Sequence, residues 1–320
     1  MFKRNEIMKK EYLILIILIL SLGAYLFYHK ENKDHYALPE IKKLDLSKIS
    51  GLILETKKGS IQFNQKDKNW TLTDKEYPAD SSSVKNMLDT LKTFKLSTLV
   101  SQKGDLIRYE LDDDHQIQVK ALNGNNTIFG FTIGKTAPSF NHTFVMIKGD
   151  KNIYHAAGSF RSYFDKTVED FRDKKVLTFK EPSIKRFSIE KDGLSKTLIS
   201  KEGKKGTDET TITWYSKDGT SVEKEAVTNL LSTLSALSCE KYLDSKSKNE
   251  LEKEKSLCKI NLENGAKINL SLFSTEENDL LKGLSSMNNY AFQLSQFNGK
   301  EIVSNIDKIL GITKTEDKEE

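Results

Sequence analysis

The hydrophobic pattern changes character along the chain, and each change marks an element. Residues 12–28, YLILIILILSLGAYLFY, carry no charge and are mostly Leu and Ile. As a helix these 17 residues rise about 26 Å, close to the roughly 30 Å of a hydrocarbon core. Tyr12 at one end and Tyr25, Phe27 and Tyr28 at the other suit the interfacial aromatic belts. Lys3, Arg4, Lys9 and Lys10 precede the run, so the positive-inside rule keeps the N-terminus cytoplasmic and translocates the chain beyond about His29. An uncleaved signal anchor is expected. A cleaved signal peptide is the alternative, but the run exceeds the roughly 7–15 residues of such a segment and no A-x-A-like site comes after it.

Beyond a polar tether the period shortens to two. Ile49, Leu52 and Leu54, then Ile61 and Phe63, then Trp70 and Leu72 mark short strands, with turns at 57–59 and 66–69. Asp80 and the serines at 81–83 then cap a helix whose apolar positions are Val84, Met87, Leu88, Leu91 and Phe94 or the neighbouring Lys95 stem. A second meander runs through Ile117 and Val119, residues 128–133, 144–147 and 153–155.

The same series then recurs. Val84, Asn86, Leu88, Thr90 and Leu91 reappear as Val227, Asn229, Leu231, Thr233 and Leu234 at an offset of 143. Upstream, 49–55 resembles 184–190, and each is followed by a tryptophan closing a short strand, Trp70 and Trp214. Downstream, 116–120 faces 259–262 and 144–147 faces 290–294. The second helix carries Val222, Ala226, Leu230, Leu231, Leu234 and Leu237. The expected class is α+β: an N-terminal transmembrane helix, then two tandem repeats of antiparallel strand meanders with an inserted amphipathic helix. The divisions are a cytoplasmic 1–11, the anchor 12–28, a tether 29–44, copy one 45–157, a connector 158–180, copy two 181–312 and a charged tail 313–320.

Composition narrows the function classes. Of 320 residues, 50 are basic and 46 acidic, and a net charge of +4 gives no bias toward nucleic acid. With 30% charged and 37% apolar residues, the chain is neither a multi-span transporter nor a disordered polymer. Two cysteines exclude a four-cysteine metal module.

Candidate chemistry is sparse. Asp112, Asp113, Asp114 and His115 lack the spacing of a calcium loop and read as a solvated turn. His142 and His155 flank the Phe144 strand, with no third ligand placed beside them. No nucleophile elbow or phosphate loop is present. No catalytic residue, cofactor or metal ligand is expected, and the chain is not read as an enzyme. Cys239 and Cys258 lie in copy two, where an oxidising location makes a disulfide chemically available and a buried thiol pair is the alternative. Trp70 and Trp214 read as packing residues before sugar platforms. Phe160, Tyr163, Phe164 and Phe171 form an aromatic cluster that is either the seam between the copies or a partner-docking patch.

Taken with the anchor and the strand–turn–strand unit ending in tryptophan, three further stretches point to a family. These are residues 105–112 (DLIRYELD), Thr132-Ile-Gly134, and Phe144 to Ile147 followed by Ile153-Tyr-His155. The chain resembles the bacterial domain of unknown function 4340, with Tyr109-Glu110-Leu111 where that family usually reads Tyr-Gly-Leu, and with no evident copy-two counterpart of Gly134. The resemblance implies tandem domains behind a membrane anchor, in accessory subunits of ABC-type export systems related to gliding-motility transport. The expectation is therefore a single-pass cytoplasmic (inner) membrane protein, N-terminus inside, with its bulk extracytoplasmic or periplasmic. Its partner is a membrane protein such as an ABC transporter subunit. The alternative is binding of envelope glycan or lipid in a cleft between the copies, and an enzyme of unknown class ranks last.

Overall fold

A computed structural model describes residues 10–29, 37–73, 75–205, 209–275 and 280–312. The expectations for residues 1–9, for residues 30–36 of the tether and for the tail 313–320 lie outside the described residues.

The first helix, α1 (Lys10–His29), contains the apolar run, and every described side chain from Ile14 to Leu26 is exposed. Among the described residues no helix is long and apolar enough to cross a membrane. The continuous run of described side chains, residues 14–26, rises only about 20 Å.

Two antiparallel sheets come after it. The first series is β1 (Gly51–Thr56), β2 (Gly59–Lys66), β3 (Asn69–Leu72), β4 (Tyr77–Pro78), α2 (Ser81–Thr93), β5 (Leu96–Ser101) and β6 (Ile117–Asn123). It continues with β7 (Asn126–Thr136), β8 (His142–Ile147), β9 (Ile153–Ala157) and the short helices α3 (Arg161–Phe164) and α4 (Val168–Phe171). The second series is β10 (Arg186–Lys191), β11 (Leu194–Lys205), β12 (Glu209–Ser216), α5 (Lys224–Ser235), β13 (Lys241–Tyr242) and α6 (Ser245–Leu251). It closes with β14 (Cys258–Glu263), β15 (Lys267–Ser274), β16 (Leu281–Ser285), β17 (Phe292–Gln293) and α7 (Gln296–Leu310).

The first sheet has the order β4-β3-β2-β1-β6-β7-β8-β9-β5 and the second β12-β11-β10-β14-β15-β16-β17-β13. With β4 set aside, the two orders match strand for strand. By density of internal contacts the chain divides into one unit of residues 1–68 with 83–166 and another of 69–82 with 167–320.

Registers refine the sequence alignment. Leu54 pairs with Val119 and Ile189 pairs with Ile260, so Val119 answers to Ile260 at an offset of 141. The sequence alignment there is two residues out, a slip that leaves every side chain on its expected face. The pairing of 144–147 with 290–294 is also corrected. Val145 pairs with Tyr154 across β8 and β9, and Gly283 pairs with Phe292 across β16 and β17. The Phe144 strand therefore answers to 281–285, and 290–294 answers to the strand after it. Bulk has moved between neighbours: a Cβ at Gly283 would lie 2.5 Å from the Phe292 ring, which fills that space.

In the first unit α2 buries Val84, Met87, Thr90 and Leu91, while Leu88 is only half-buried. The core of the second unit is built by Phe187, Ile189, Leu198, Ile260, Leu262, Leu270 and Leu272 from the sheet and by Ala226, Val227, Leu230, Leu231 and Leu234 from α5. Ile302, Ile306 and Ile309 complete it from α7, which packs on α5.

Candidate functional site

A groove of the second unit forms where the sheet edge meets α5. Ile212 and Trp214 of β12 make one wall, and Thr228, Leu231 and Ser235 of α5 make the floor. Phe179, Lys180, Glu181, Pro182 and Ser183 close the far side of this open cavity of about 830 Å³. Trp214 stands half-buried in the wall, its ring edge-on to Phe187 at 4.9 Å. Trp70, its counterpart in sequence, is also half-buried.

A second feature was not legible in the sequence. The chain leaves α4 in extended geometry at Arg172, which is 7% exposed and forms an isolated bridge to Ala79. Its guanidinium carbon lies 3.8 Å from the Tyr77 ring centroid, 3.9 Å from Tyr242 and 4.9 Å from Tyr290. Arg172 Nη1 donates to Glu169 at 3.0 Å, whereas Nε and Nη2 are closed to solvent without a hydrogen-bond partner. Delocalised charge and weak hydration make arginine the cation suited to such a place. The box is fixed from outside: Glu169 also accepts from the Tyr242 N–H at 3.1 Å, and the Tyr242 hydroxyl donates to the Asp173 carbonyl at 2.7 Å. Burial holds the Tyr242 hydroxyl well above the ordinary phenol range. Three rings enclose the buried cation, an arrangement of packing rather than of an open site.

The residues singled out in the sequence separate into packing and surface. Phe160 and Phe164 are buried in the first unit, at 6.4 and 6.2 Å from Phe131, and Phe131 lies 4.6 Å from Phe94. Phe171 is buried in the second unit, its carbonyl accepting from the Asp80 N–H. Tyr163 is the exposed member, at 39%, and borders a shallow groove with Asn86, Thr90 and Phe94. In the recurring helix motif, Val84, Leu91, Val227, Leu231 and Leu234 are buried. Asn86 and Asn229 are exposed, and Thr233 is half-buried. The Thr90 hydroxyl returns to the Asn86 carbonyl at 2.8 Å. The motif is a packing stripe with its asparagines on the surface.

Cys239 and Cys258 are buried and free. They lie at opposite ends of a strand series: Cys258 opens β14, and Cys239 lies two residues before β13, four strand spacings away. At about 4.8 Å per spacing the strands are about 19 Å apart, far beyond disulfide reach. Burial pushes the two thiols up to about 11 and about 12 respectively, which keeps them protonated and unreactive.

His142 and His155 do come together, ring centroids 5.2 Å apart and nearly parallel. Burial, then the neighbouring His142, lowers the His155 pKa. Asp112 instead accepts from His115 Nδ1 at 2.8 Å and Asp114 pairs with Lys57 at 2.8 Å, while Asp112 Oδ1 is closed to solvent without a hydrogen-bond partner. Among the described residues no group of three His, Cys, Asp or Glu side chains could hold a metal ion.

Two glycine-linked features of the family resemblance have physical causes. Glu110 occupies the left-handed region at φ 55°, the conformation for which glycine is suited. A Cβ at Gly134 would lie 2.3 Å from the Tyr109 carbonyl oxygen and 2.8 Å from Leu111, so the turn at 107–111 seats directly on that glycine. In the second sheet the corresponding position is Phe273, which packs with Leu251 of α6 and Ala291. No curated protein and no solved structure matches the chain. A family model for the domain of unknown function DUF4340 matches residues 70–259, more than half of the chain and part of both sheets, and the protein belongs to that family.

Proposed function

We propose that the protein is a membrane-anchored, extracytoplasmic interaction module, a non-enzymatic accessory subunit of an ABC-type envelope transport or assembly complex. The observation that carries this reading is α1. A helix apolar on all its faces needs an apolar surrounding, and the side chains of 14–26 are exposed among the described residues. With its uncharged flanks the run extends over residues 12–28, and the basic residues before it set the N-terminus inside. Anchoring confines both sheets to the membrane surface and raises their effective concentration for a membrane partner. Copy one at 45–157 and copy two at 181–312 are the displayed modules, with 158–180 between them.

Crosslinking in intact cells, purification through a C-terminal tag and mass spectrometry test this reading. The control exchanges residues 12–28 for a cleavable signal. Transporter subunits recovered only with the native anchor are the expected result. Recovery of envelope glycan or lipid without a protein partner contradicts it and supports a ligand-binding role, for which half-exposed Trp214 in its groove is the favoured contact.

A further inference from the structure

The ends of the two sheets are protected unequally. β4 is two residues long and contains Pro78, which cannot donate to a further strand. β13 is also two residues long, and β5 meets β9 with two register shifts. Short strands, prolines and bulges are the usual means by which sheet edges resist further pairing. β12 has none of them. It runs eight residues, pairs with β11 through eight consecutive partners without a shift, and contains neither proline nor lysine. Among the described residues nothing pairs with its outer edge. In the first sheet the corresponding edge, β3, is covered by β4, with Thr71 opposite Pro78 and Leu72 opposite Tyr77.

We infer that β12 pairs antiparallel with β12 of a second copy, joining two eight-stranded sheets across a two-fold axis. Self-complementarity identifies the occupant. An axis perpendicular to the sheet keeps both grooves on one side, which restricts the register to pairs of like parity. With Thr213 opposite Thr213, Ile212 of each copy stands opposite Trp214 of the other, twice over. Pairs of a β-branched and an aromatic residue are the favoured cross-strand neighbours. Positions 210–216 carry no charge, so within that span no like charges oppose one another. Ile212 and Trp214 also form the groove wall, so pairing extends the apolar surface across the axis and covers the rim left open in the isolated chain.

The register makes the test specific. In the full-length chain, Thr213→Cys places two thiols on strands whose opposed Cα atoms are about 4.5–5.5 Å apart, within disulfide reach. Tyr215→Cys places its thiols about 14 Å apart, beyond it. Native Cys239 and Cys258 are buried and do not compete. Under mild oxidation in native membranes, Thr213→Cys yields a covalent dimer at least tenfold more than Tyr215→Cys. In detergent the unmodified chain sediments as a dimer, and Thr213→Lys, which opposes two lysines, weakens that dimer at least tenfold. Equal crosslinking at the two positions, or a dimer indifferent to Thr213→Lys, places association elsewhere and overturns the inference. A chain that is monomeric in both measurements overturns it too.

Discussion

Sheets of one strand order are finished in two ways. In the first, a 3-10 turn at 107–111 seats on Gly134, and Leu111, Ala137, Phe144 and Ile153 form a small cluster beneath it. In the second, that place on the sheet carries Phe273, and α6 brings Leu251 to meet it. One solution brings backbone close to backbone and forbids a side chain; the other fills the gap with a ring and a helix. Strand order is thus the constrained property, while the cover over a given strand is free to change provided volume is conserved. The exits differ as well. α3 and α4 end the first series, whereas α7 spans 15 residues and joins the second core.

This contrast can be broken from either side. The largest effect is expected from Phe273→Ala, which empties the second cover and should cost about 3–5 kcal/mol in urea unfolding. Gly134→Ala attacks the first cover by overpacking, at about 2–3 kcal/mol, because the nearest obstacle is backbone. Arg172→Met removes the cation between Tyr77 and Tyr242 and leaves Glu169 without its ion pair, for about 2 kcal/mol. A smaller change separates two variants at the turn that lack the Glu110–Arg161 pair: Glu110→Gly should be about 1 kcal/mol more stable than Glu110→Ala.

Between pH 8 and pH 5 a histidine of the first sheet contributes a pH effect. His155 has a depressed pKa in the folded chain, so the unfolded chain binds its proton more readily. Stability from this group is complete above the ordinary histidine value and is lost as pH falls through that value toward the depressed one. Thermal melts from pH 8 to pH 5 should show this acid loss, and His155→Gln should flatten it. An unchanged slope in that variant would assign the acid sensitivity to another group.

Much of the fold was legible in the sequence because its signals are local. Val84, Met87 and Leu91 sit one helical turn apart, and Lys57 to Gly59 mark a turn between alternating strands. The helix α7 has an equally clear stripe in Ile302, Ile306 and Ile309, but among the described residues it has no counterpart in copy one, so the recurring motifs do not point to it. Register was less accessible: a two-residue slip preserves the hydrophobic pattern and leaves no trace in it. The exchange of bulk between Val145–Tyr154 and Gly283–Phe292 likewise emerges only once partners are known. The arginine box could not be read at all, because Tyr77, Arg172, Tyr242 and Tyr290 are scattered over more than 200 residues and share no motif. For the site residues, residue type was a poor guide. Phe160 and Phe164 read as a seam between the copies or a docking patch and are core of the first unit, while the cysteine pair needed strand order to show its separation.

The central claim, that α1 holds both sheets outside the cytoplasmic membrane, is tested most directly by placing a cysteine at Phe297, which is 73% exposed in the second unit. Intact cells are treated with a membrane-impermeant maleimide and their membranes are then washed with alkaline carbonate. The buried native thiols make the added one the reporter. Labelling without lysis, on a chain that stays with the membrane after the wash, is the predicted result. Labelling only after lysis, or release by carbonate, would contradict the account.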